Sequence, residues 1–126
     1  MTGFGVMQLD ADQVAELAER RFEKRLVELL IAGDPAAGAA LSRPEGLPEL
    51  RAQIARARSH RMLGELDIAR YVITAWTLGA DFDERFPAMA EILQTNRLTP
   101  TQKADALERV CVELVAGLQG GTRERR

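Results

Sequence analysis

One cysteine, one histidine, one tryptophan and one tyrosine stand among 126 residues, and each scarcity closes off a class of chemistry. The lone Cys111 excludes an internal disulfide and any cysteine-rich metal site, and it fits a reducing cytoplasm. It falls at an apolar helical position, where a small buried thiol is the expectation and a nucleophile would need an activating base. The lone His60, in the run Ser-His-Arg-Met, has no second histidine or cysteine nearby to complete a zinc shell. No run approaches the roughly eighteen apolar residues of a membrane-spanning helix, and the N-terminus carries neither a basic segment nor an apolar signal core. An excess of one charge is missing too. Seventeen basic against 19 acidic residues leave −2, which gives no global attraction to nucleic acid or to an anionic membrane.

What remains is rich in Ala, Leu, Glu and Arg, residues that form helices readily. No alternating strand pattern, internal repeat or interdomain linker interrupts them. The expectation is all-α: a compact single domain of five or six helices over residues 10–119, with a flexible arm over 1–9 and a disordered tail over 120–126. Phe4, Val6, Met7 and Leu9 of the arm are placed to fold onto the body or a partner. Asp10 and Gln13 form a capping box before a helix from Ala11 to Ala32, which Gly33 ends. Asp34 and Pro35 then start a short successor. After two prolines and a glycine, helical spacing resumes through Leu50, Ile54, Ala57 and either Met62 or Leu63, with Gly64 as its end.

The next helix, Glu65 to Leu78, has apolar residues on more than one side. Gly79 suits the positive-φ residue that closes it, and the acidic loop Asp81, Asp83 and Glu84 follows with Phe82 as an anchor to the core. A short stripe through Phe86, Met89 and Leu93 comes next. Thr99 and Gln102 cap a last helix that should end near Gly117 to Gly120. The predicted core includes Phe22, Leu26, Leu30, Ile54, Leu66 and Val72. It continues through Ile73, Trp76, Phe82, Leu93, Leu107, Val110 and Leu114, with Trp76 and Phe82 the largest contributors.

No catalytic constellation accompanies these elements, and the residue types call for no cofactor and no metal. Glu65 and Asp67, two apart on a helix, point about 200° from each other and cannot easily share a substrate. The acidic loop does not continue into a calcium-binding pattern, since Arg85 and Phe86 stand where the next ligand and the glycine belong. Asp81, Asp83 and Glu84 instead suit a helix cap or a salt link to Arg70 or Arg97. Arg51, Arg58 and Arg61 can share one broad helical face, within an arc of roughly 80°. That face and the acidic turn are the candidate protein-binding surfaces. Nucleic-acid binding is not expected, because no aromatic residues interleave the arginines and overall basicity is absent.

The pattern G-E-L-D-I-A-R-Y followed by L-G-A-D-F-D, from Gly64 to Asp83, resembles a family of small helical proteins associated with bacterial type VI secretion gene clusters. Glu65, Asp67, Arg70, Tyr71, Leu78 and Gly79 occupy matching positions, as do Asp81, Phe82, Asp83, Ile92 and Leu93. The resemblance covers about Phe22 to Leu107, and it departs at His60, Arg61 and Met62, where the family pattern has tyrosine, glycine and isoleucine. It implies a cytoplasmic, non-enzymatic adaptor or chaperone that helps to load a toxin onto the secretion spike. The alternative is an immunity protein that blocks a cognate toxin, using the turn from Asp81 to Glu84 against a basic cleft.

Overall fold

The computed structural model describes residues 10–124, with side chains described through residue 117. Its helices are α1 (Ala11–Gly33), α2 (Ala37–Leu41), α3 (Gly46–Ser59), α4 (Glu65–Leu78), α5 (Phe82–Arg85), α6 (Pro87–Gln94) and α7 (Pro100–Glu124). Among the described residues there is no strand, and no helix is long and apolar enough to cross a membrane. The all-α expectation therefore holds, with seven helices among the described residues rather than five or six. The addition is α5, a single turn within the stretch that reads as an acidic loop. Its backbone closes through Glu84 N and Arg85 N donating to Asp81 O at 2.9 and 3.0 Å. The arm over residues 1–9 lies outside the described residues.

The helices form two units, α1 with α2 up to Arg43 and α3 to α7 from Pro44 onward. The division falls in the proline- and glycine-containing break at 42–48. In the first unit, α1 opens on the predicted capping box: Gln13 N donates to Asp10 Oδ1 at 2.8 Å and Asp10 N to Gln13 Oε1 at 3.0 Å. Phe22, Leu26 and Leu30 are its buried stripe. Beyond Gly33, Asp34 Oδ1 accepts from Ala36 N at 3.1 Å and turns the chain into α2.

In the second unit α4 is the central helix, packed against α3, α5 and α7. His60 meets Tyr71 while Leu50 lines a hollow with Trp76, so α3 and α4 run antiparallel. Thr101 Oγ1 donates to Asp67 Oδ2 at 2.7 Å near both helix starts, and Cys111 lies beside Thr77 further along, so α4 and α7 run parallel. Ile68, Tyr71, Val72 and Ala75 are buried, which confirms a helix covered on more than one side. Leu66 and Ile73, expected in the core, are exposed, and Trp76, Val110 and Leu114 are only partly buried. Tyr71, Met62 and Met89 are fully buried in their stead.

Two chain reversals frame α4. Helix α3 stops at Ser59, five residues short of the expected Gly64. Met62 N donates back to Ala57 O and Arg61 N to Arg58 O, the paired bonds of a Schellman turn, with Arg61 at φ +66° where glycine is usual. Burial of Met62 beside Ala57 supplies the apolar contact that such a turn favours. At the other end Gly79 has φ +111° and ψ 153°, a region open essentially to glycine alone. A Cβ there would lie 3.3 Å from Asp81 Oδ1. Gly79→Ala should therefore lower stability by about 1–3 kcal/mol in a urea melt. An unchanged midpoint would show that this connection relaxes without strain.

Helix α7 begins on the predicted T-P-x-Q box, with Gln102 N donating to Thr99 Oγ1 at 3.1 Å and Thr99 N to Gln102 Oε1 at 2.9 Å. Its backbone continues past Gly117 to Gly120, the predicted end, to Glu124. A glycine inside a helix costs about 1 kcal/mol but does not break its hydrogen bonds as proline does, and no proline follows. The side chains of residues 118–126, including Leu118 and the expected tail, lie outside the described residues.

Candidate functional site

The polar residues that converge most closely come from α3, α4 and α5. Arg56 Nη2 donates to Asp83 Oδ2, and Tyr71 Oη donates to the same oxygen at 3.3 Å. The His60 ring lies 5.7 Å from that of Tyr71, tilted by 34°. Tyr71 meets Phe82 edge-on at 5.0 Å. Local structure explains the convergence: His60 is the C-cap residue of α3, and the single turn α5 carries both Phe82 and Asp83. Tyr71, Phe82 and Asp83, all within the stretch from Gly64 to Asp83, thus tie α4 and α5 together and reach α3 through Arg56.

The electrostatics agree with a structural role. The Asp83 side chain is only 8% exposed, whereas that of Arg56 is 42% exposed. The hydrogen bond from Arg56 to Asp83 pushes the guanidinium pKa up and keeps it charged. Burial, then the nearby Asp83 charge, pushes the Tyr71 phenol up to about 12, so it stays protonated and can donate. Burial also lowers the His60 pKa below its ordinary value, against the opposing pull of Asp83. Asp83 Oδ1 is enclosed and accepts no hydrogen bond. Burial raises the pKa of the Cys111 thiol, against the opposing hydrogen bond of Thr77.

The residues proposed from sequence as binding surfaces separate. Arg51 and Arg58 lie exposed on α3, but Arg61 follows the helix after a positive-φ turn, so the helical arc that joins the three does not extend to it. Asp81 and Glu84 are exposed, and Asp81 Oδ1 stands 3.6 Å from Arg85 Nη1. Asp81 occupies the N-cap position of α5 without a side-chain capping bond. Asp83 turns inward to Arg56, in place of the expected link to Arg70 or Arg97. Arg70 Nε instead meets Glu108 Oε2 at 3.4 Å.

The surface that sequence reasoning missed lies between α4 and α7. A cavity of about 380 Å³ is lined by Ile73, Thr74 and Thr77 from one helix and Cys111, Val112 and Val115 from the other. Leu66 is 64% exposed, Val112 63% and Ile73 36%. The signal was present in α4: a helix apolar on several sides, within a small unit, has more apolar faces than neighbours to cover them. A polar hollow of about 320 Å³ lies beside His60, Arg61 and Lys103. Among the described residues no group of three or more His, Cys, Asp or Glu side chains gathers as a metal site. No family model, curated protein or solved structure matches the chain.

Proposed function

We propose that the chain is a non-enzymatic protein-binding adaptor or chaperone that receives an amphipathic helix of its partner in the α4–α7 groove. The observation that carries this reading is the exposed apolar line Leu66, Ile73 and Val112 beside a concave, mostly apolar trough. Leu66, Arg70, Ile73 and Thr77 repeat at three- and four-residue steps on one face of α4, over about 16 Å, which matches three turns of an added helix. The Arg70–Glu108 pair crosses the trough and offers both charge signs to the polar flanks of such a helix. Apolar anchors spaced i, i+4 and i+7 on the partner fit this arrangement. The resemblance of Gly64 to Asp83 to proteins of type VI secretion clusters supports a spike component or an effector toxin as that partner, met in the cytoplasm.

The test is binding of the purified chain to the spike and effector proteins encoded beside its gene, before and after Val112→Asp. Placing a carboxylate in the trough should weaken binding at least about tenfold, because the charge is desolvated on docking. Stability should stay within about 0.5 kcal/mol, since Val112 is exposed. Absence of binding to any of these proteins, or binding that Val112→Asp leaves unchanged, overturns the proposal. Rescue of cells from the toxin by the chain would replace loading with the immunity reading.

A further inference from the structure

The polar hollow beside His60 differs from the rest of this acidic chain. Its walls come from the turn after α3, the end of α6 with its connection to α7, and the first turn of α7. Arg61 and Lys103 bring two cations, His60, Gln94 and Asn96 add side chains able to donate N–H, and neither Asp nor Glu lines it. In a chain with more acidic than basic residues, a concave space with cations and no carboxylate is a selective environment for negative charge. Lys103 Nζ donates to Leu93 O at 2.8 Å, which fixes the ammonium at the rim and leaves its other protons for a ligand. Thr95 Oγ1 already accepts from Arg97 N and keeps its own proton to donate, whereas Ser59 Oγ spends its proton on Arg56 O.

We infer that this hollow binds the phosphate group of a small molecule, held between Arg61 and Lys103. The volume of about 320 Å³ is at the small end of the usual ligand range, which suits a compact phosphate ester rather than a bulky cofactor. The Schellman turn sets Arg61 at the mouth with a backbone that strains any side chain, in a place where glycine would be free of strain. This site is separate from the α4–α7 trough and does not depend on it.

The experiment is calorimetric titration of the full chain with inorganic phosphate and with pyrophosphate at constant ionic strength. Saturable one-to-one binding is expected for at least one of the two. Arg61→Gly should weaken it about tenfold, through loss of one charge-assisted contact, while the glycine keeps the turn and maintains thermal stability. Lys103→Gln should weaken it to a similar extent. Arg51→Ala, on α3 and outside the hollow, should leave the affinity unchanged. No saturable binding of either anion, or equal weakening by Arg51→Ala, overturns the inference, because the attraction is then absent or merely a sum of surface charges.

Discussion

Phe82→Ala should destabilise the protein by about 3–5 kcal/mol, the usual range for removing a fully buried aromatic ring. Phe82 has no exposed surface, and its ring meets Tyr71 edge-on at 5.0 Å. It belongs to a helix of four residues, too short to persist by itself, so its side chain is the main reason α5 stays against α4. The loss would take a large part of a domain's usual margin of roughly 5–15 kcal/mol. Trp76, equally prominent in the sequence, should cost distinctly less on truncation to Ala because it is only partly buried. Urea melts of the two variants check this order. Equal losses would mean that α5 does not depend on its ring.

The contrast between these two aromatic residues marks the limit of what the sequence discloses. The starts of α1 and α7 were legible because capping is local: the Asp10/Gln13 and Thr99/Gln102 pairs close within three residues, and both form as spacing predicts, whereas α3 begins at Gly46, inside the expected break. The end of α3 was not, because it depends on Arg61 taking a conformation that sequence assigns to glycine, and burial of Met62 has to compensate. The inward face of α4 was ambiguous for another reason. Ile73 and Val72 are equally apolar, and only the positions of α3 and α7 decide that Val72 is covered while Ile73 borders the trough. The site suffered the same limitation: the partner of Asp83 lies 27 residues away on α3, a distance no local pattern reports.

That long-range pair supports the second large expected effect, in which the more exposed partner is the more costly to remove. Arg56→Ala leaves the enclosed Asp83 carboxylate with only the long hydrogen bond from Tyr71, and its other oxygen already accepts none. A buried charge deprived of its counterion typically costs about 3–5 kcal/mol. Asp83→Ala leaves less behind: the Arg56 side chain, 42% exposed, can turn to water, and the chief loss is the partner of the Tyr71 hydroxyl. Its cost should be about 1–3 kcal/mol, the penalty for one unsatisfied neutral group. The double variant should then be more stable than Arg56→Ala alone, because the second substitution removes the stranded charge. Chemical denaturation of both single variants and the double closes the cycle. If Asp83→Ala proved the costlier single change, the carboxylate would have to be serving α5 directly, as a cap or a packing element, rather than as the buried half of an ion pair.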